Sequence, residues 1–232
     1  MKLLLIITSL LLACTRPQPE PAMPASPAPA PPSLTYLALG DSYTIGESVS
    51  EYERWPVQLA DRLRDDRIAV AAPDIIARTG WTTAELQEAI QQSGNQKTYD
   101  LVSLLIGVNN QYRGQSQDRY RTEFRALLQT AIRFAGKRAD RVFVLSIPDW
   151  GVSPFAAGRD KLSIARDIDA FNAIAQDECR RANVVYVDIT PLTRQAADNR
   201  TAFAYDGLHY SGQQMKLWTD KALPVAKTLL AR

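Results

Sequence analysis

The chain has 232 residues, 46% of them hydrophobic and 22% charged, and a net charge of +2. That balance is ordinary for a globular protein and, with no run of Lys or Arg, excludes an electrostatic footprint for nucleic acid. Two cysteines, Cys14 and Cys179, exclude a disulfide framework, and a single histidine among scattered carboxylates supplies no metal-ligand cluster.

The N-terminal segment is set apart from the rest. Met1-Lys2 places a positive charge ahead of an apolar run over residues 3–12, too short to cross a bilayer as a helix and of signal-peptide character. The run ends in Leu11-Leu12-Ala13-Cys14, which resembles a bacterial lipobox. The resemblance implies removal of residues 1–13 and acylation of Cys14, leaving the protein lipid-anchored in the cell envelope. An ordinary secretory signal with an incidental cysteine is the competing reading. Thr15 rather than aspartate after the cysteine points, under an enterobacterial-type sorting rule, to the outer membrane and its periplasmic face. The remainder of residues 14–33, rich in proline and alanine, buries no core and reads as an extended tether.

Residues 34–232 suit a single domain. Five apolar runs predict strands at 34–40, 68–76, 101–107, 142–148 and 184–189. Pro73 interrupts the second and predicts an edge strand or a later start. Helical spacing follows at 55–64, with Pro56 suited to the first turn, and at 82–92, where Thr82 or Thr83 caps with Glu85 nearby. Tyr120, Phe124, Leu127, Leu128 and Ala131 form the stripe of a third helix. Ile164, Ile168, Phe171, Ile174 and Ala175 form that of a fourth, which carries Cys179 as a small buried residue. A last helix over 213–230 contains Pro224, which predicts a kink or a split. Strands alternating with helices predict a three-layer α/β/α sandwich around a parallel, flavodoxin-like five-stranded sheet, with reactive groups beyond the carboxyl ends of the strands.

The chemistry-bearing residues fall at those ends. The only imidazole lies in Asp206-Gly207-Leu208-His209, where a carboxylate three residues before a histidine can orient it as a general base. A serine just past the first strand, in Gly40-Asp41-Ser42-Tyr43, is the partner such a base needs. Asp41 is adjacent to the serine but badly spaced for the histidine, and is expected to bond nearby backbone. Taken singly, each has a plainer reading: Ser42 as a helix cap, His209 as structural, a glycine as a turn residue.

Together these blocks resemble the SGNH hydrolase family, also called GDSL lipase/esterase, across residues 34–232. They are Gly40-Asp41-Ser42-Tyr43, a glycine after the second strand (Gly80), Gly107-Val108-Asn109-Asn110, and Asp206-Gly207-Leu208-His209. The resemblance implies a serine esterase acting on carboxylic esters through an acyl-enzyme, with Ser42 as nucleophile, His209 as base and Asp206 as its orienting acid. The oxyanion would be held by the backbone N–H groups of Ser42 and Gly80 and by the Asn109 amide. It calls for no cofactor or metal, and for a small-molecule ester as partner; oligomeric state stays open. Acyl transfer with the same triad, and an envelope-binding lipoprotein without catalysis, are the alternatives. Asn110 stands where many members have aspartate. Trp81, Tyr112, Trp150, Phe155, Tyr43 and Ile45 are candidates for the pocket wall, with packing as the plainer reading. No Gly-x-Ser-x-Gly elbow exists, which disfavours the α/β-hydrolase fold.

Overall fold

The computed structural model describes residues 33–231; the expectations for residues 1–13, Cys14 and the tether lie outside it. Five strands, β1 (Tyr36–Gly40), β2 (Asp74–Ala77), β3 (Leu101–Leu105), β4 (Val142–Leu145) and β5 (Val185–Val187), pair in parallel in the order β2-β1-β3-β4-β5. β1 is buried along its whole length, so its sequence is continuously apolar rather than alternating. Tyr36 is tolerated there because its hydroxyl meets the Ser103 hydroxyl at 2.8 Å.

The sheet bears out the reading of the second apolar run. Only an isolated bridge, Val70 to Leu34, forms before Pro73, and β2 starts at Asp74 on the sheet edge. Proline has no N–H to donate, so pairing resumes after it. The strands are otherwise shorter than their apolar runs: β1 starts two residues late, while β3 and β4 end two and three residues early.

Between the strands run α1 (Ser42–Ile45), α2 (Trp55–Asp65), α3 (Thr83–Gln92), α4 (Val108–Tyr112), α5 (Gln117–Phe134), α6 (Lys161–Arg181), α7 (Thr190–Arg194) and α8 (Gly212–Leu230). α2 and α8 pack against each other on one side of the sheet, and α3, α5 and α6 form the other layer. This is the expected three-layer α/β/α fold. α1 is the helix into which the first strand passes at Ser42; α4 and α7, of five residues each, are too short to show a helical period in the sequence. Thr82 caps α3 in a full capping box with Glu85. Cys179 is buried on α6.

Of the kink or split expected at Pro224, the split does not occur: α8 runs through it as one helix. An interior proline costs a helix about 3 kcal/mol. Burial of Trp218, Ala222, Ala226 and Leu229 outweighs it, at roughly 1.5–3 kcal/mol for each large apolar side chain. The same face is pinned to α2 by Thr219 Oγ1 donating to the Trp55 carbonyl at 3.1 Å and by the Arg62–Asp220 ion pair at 2.7 Å.

Candidate active site

The parallel register aligns the carboxyl ends of three strands: Gly40 sits opposite Ala77 on β2 and Leu105 on β3. The loops that leave these ends, together with the loop before α8, enclose a cavity of about 180 Å³. Ser42, Gly80, Asn109 and His209 all line it, drawn from four segments scattered through the sequence.

Ser42 is the first residue of α1 and sits almost fully buried where β1 gives way to that helix. Asp41 caps the turn, accepting from the Tyr43 N–H at 3.0 Å, which is the backbone-bonding role expected of it. Its other oxygen has no hydrogen-bond partner among the described residues, and burial pushes its carboxyl up to about 7, with the Tyr43 N–H pulling the other way. As a first-turn amide, the Ser42 N–H has no helical carbonyl to bind.

His209 is buried and held from below and from the side. Its Nδ1 lies 2.7 Å from Asp206 Oδ2, and Asp206 Oδ1 accepts from the backbone N–H groups of Leu208 and His209, each at 2.9 Å. With Nδ1 committed to the carboxylate, Nε2 is the nitrogen left for chemistry. The Tyr43 ring meets the imidazole edge-on at a centroid distance of 5.8 Å. The loop is closed by a bridge between Phe203 and Tyr210, and Tyr210 donates to the Asp149 carbonyl at 2.7 Å. Burial alone would raise the Asp206 carboxyl, but hydrogen bonds from Ser48, His209 and the two backbone N–H groups outweigh it and hold it at about 2. The carboxylate therefore stays ionised across the ordinary pH range, and its contribution to loop stability is lost only as pH falls from 3.8 towards about 2.

Gly80 adopts φ +86°, a conformation that glycine takes without strain. Arg113 donates to its carbonyl and also pairs with Glu85 at 3.1 Å, so the loop is fixed from behind. Among the described residues the Gly80 N–H makes no turn or cap hydrogen bond. The Asn109 side-chain amide donates one N–H to the Trp81 carbonyl at 2.9 Å and keeps its second. Asn110, by contrast, is buried and joins α4 to α3: its Oδ1 accepts from the Thr83 N–H at 3.1 Å and its Nδ2 donates to Thr83 Oγ1 at 2.7 Å. An uncharged amide both donates and accepts there, which a carboxylate could not do.

Among the candidates for the pocket wall, Tyr43, Tyr112, Trp150 and Phe155 line the cavity; Trp81 and Ile45 do not. Two contributions had no signal in the sequence. Ser48, at φ +65°, donates to Asp206 Oδ2 at 2.6 Å across 158 positions of chain. Its neighbour Glu47 accepts from Thr79, which lines the cavity beside Gly80. The segment after α1 thus braces both the acid loop and the Gly80 loop. A serine in a polar loop gives no warning of this, and only its left-handed backbone marks it out.

The GDSL-like Lipase/Acylhydrolase family model matches residues 38–217. No curated protein matches the chain. Among solved structures, TesA superposes with a TM-score of 0.67 at 19% identity, covering 84% of this chain and 99% of that one. A psychrotrophic esterase, EstA from Pseudoalteromonas sp., gives 0.67 at 16% identity, covering 86% and 100%. An acetyl xylan esterase from Geobacillus stearothermophilus gives 0.63 at 15%, covering 83% and 94%. At these identities the structures speak for the fold, and the family match spans most of the domain, including the serine, glycine, asparagine and histidine segments that meet at the cavity. The chain therefore belongs to the GDSL-like lipase/acylhydrolase (SGNH) family and is an ester-hydrolysing serine hydrolase.

Proposed function

We propose that Ser42 is the nucleophile of a carboxylic-ester hydrolase working through an acyl-enzyme. The observation that carries this is the joint placement of Ser42 and His209 in one cavity, with His209 Nδ1 held 2.7 Å from Asp206. His209 Nε2 takes the proton of the Ser42 hydroxyl as its oxygen attacks the ester carbonyl, and returns it to the leaving alcohol. Water activated by the same nitrogen then releases the acid. Asp206, ionised throughout, fixes the tautomer and stabilises the imidazolium. The carboxylate therefore keeps orienting the imidazole until pH falls towards about 2.

The free N–H groups of Ser42 and Gly80 and the second N–H of Asn109 are the donors available to the tetrahedral oxyanion; losing one such donor typically costs about 3 kcal/mol. Val108, Tyr112, Trp150, Phe155 and Leu208 make the wall largely apolar, which favours short acyl or small alkyl esters. The esterase names of two structural neighbours agree with that bond class. An ethylphosphonate probe is the direct test, since EstA was solved inhibited by monoethylphosphonate. The expected result is a single adduct on Ser42 by peptide mass spectrometry; an adduct on any other residue sinks the assignment.

We also propose that Cys14 is acylated and tethers the domain to the outer membrane of a bacterial envelope through residues 15–33. The lipobox-like Leu11-Leu12-Ala13-Cys14 supports this. Cys14→Ser is expected to move the protein from the membrane to the soluble fraction with its turnover unchanged; persistence in the membrane fraction would count against the anchor.

A further inference from the structure

We propose that Arg159 forms an anion-binding subsite at the mouth of the cavity, so that the preferred ester carries a carboxylate or phosphate group beyond the aromatic wall. The inference rests on the reading of Ser42 as nucleophile and names the substrate class for that site. Its basis is the setting of one guanidinium. The Arg159 Cζ lies 5.6 Å from the ring centre of Tyr112, 5.3 Å from that of Trp150 and 5.0 Å from that of Phe155. All three rings line the cavity that holds Ser42 and His209.

The platform beneath the guanidinium is rigid. Trp150 is buried and donates through Nε1 to Gln111 Oε1 at 2.8 Å, and it meets Tyr112 and Phe155 at centroid distances of 5.3 and 6.2 Å. Phe155 is tied to the histidine loop by its N–H, which donates to the Gly207 carbonyl at 2.9 Å. Ring faces attract a guanidinium without neutralising its charge or using its N–H donors.

Those donors are uncommitted among the described residues. No carboxylate lies within ion-pair distance of Arg159, and its side chain makes no hydrogen bond. Two neighbouring arginines show the contrast: Arg113 is spent on Glu85 and the Gly80 carbonyl, and Arg194 on Asp149 and Asp169. The adjacent Asp160 is also engaged, capping α6 by accepting from the Ser163 N–H at 2.9 Å. A planar fork of donors held in place, with its charge unmatched, fits a carboxylate or phosphate in bidentate fashion. The cavity itself is lined by no lysine, arginine, aspartate or glutamate, so the reacting end of the substrate is uncharged and the charge belongs at the rim.

The test compares kcat/KM for two pairs of esters on the full chain. The first pair, mono-p-nitrophenyl adipate against p-nitrophenyl hexanoate, places the anion on the acyl side. The second, hexanoyloxyethyl phosphate against hydroxyethyl hexanoate, places it on the alcohol side. In at least one pair the wild type is expected to favour the charged ester by about tenfold, a gap that shrinks in about 1 M salt. Arg159→Met is expected to bring that ratio close to one, and Arg159→Lys to retain part of it. No preference in either pair, or a preference that Arg159→Met leaves intact, overturns the proposal.

Failure of the underlying reading looks different: Ser42→Ala would then still cleave p-nitrophenyl hexanoate. Binding can be followed without turnover, because the Trp150 ring centre lies 5.3 Å from the guanidinium carbon. Sodium adipate is expected to change the tryptophan fluorescence of the wild type saturably and that of Arg159→Met not at all. A wild type indifferent to adipate also overturns the subsite.

Discussion

Ser42→Ala is expected to lower kcat/KM for a short-chain ester by about 10⁴-fold or more while leaving the fold intact. Activity falls this far because no second nucleophile lines the cavity beside His209: of the remaining lining side chains, Thr79 is committed to Glu47 and the others are apolar, aromatic or amide. A residual rate above water persists, since the oxyanion donors are untouched. Stability is insensitive because the Ser42 hydroxyl makes no hydrogen bond among the described residues, so its removal leaves no partner stranded there. A thermal midpoint within about 2 °C of the wild type is the expected companion result. If activity and folding are lost together, Ser42 is a structural residue. Unchanged activity in a folded variant removes it from the mechanism.

The second large effect is expected at Gly40, two residues earlier. A Cβ there would run into the Thr44 side chain and approach the Leu105 carbonyl oxygen to 2.5 Å. Neither neighbour has room to yield. Thr44 is β-branched and fully buried on α1, and Leu105 is the residue paired with Gly40 across β1 and β3. The added methyl therefore has to spread two central strands or push α1 outward, carrying Ser42 with it. Overpacking of this kind costs about 3 kcal/mol, which corresponds to a fall of roughly 6–12 °C in thermal midpoint for a domain of this size. Gly40→Ala should thus lose both stability and esterase activity, measured by calorimetry and by ester turnover on the same preparation. A midpoint within about 2 °C of wild type with full activity would falsify this account of the first block, whose glycine is then replaceable.

The two substitutions separate what the first block does. Its glycine lets α1 sit tightly against β1 and β3, its aspartate caps that short helix, and its serine presents the hydroxyl. The packing demand and the chemical demand meet in three consecutive residues, which is why the block is readable in a linear sequence at all.

Much else about this protein was legible in the same way, for a common physical reason: it depends on neighbours along the chain. Strand and helix alternation follows from local apolar period. The late start of β2 follows from Pro73, and the Thr82–Glu85 box from capping chemistry. The Asp206–His209 pair follows from a spacing of three in a tight loop. What only the tertiary structure decided are the arrangements between segments far apart in sequence. Ser48 reaches Asp206, Asn110 joins two helices by bonding both the backbone and the hydroxyl of Thr83, and α8 survives Pro224 because its buried face is worth more than one backbone hydrogen bond. Arg159 belongs with these. In the sequence it is one arginine among many, and its standing over Tyr112 as well as Trp150 and Phe155 exists only once the segments after β3 and β4 have folded to the same edge of the sheet. Local pattern determined the residue types proposed for catalysis and their strand ends; long-range packing determined what braces them and what surrounds the mouth of the cavity.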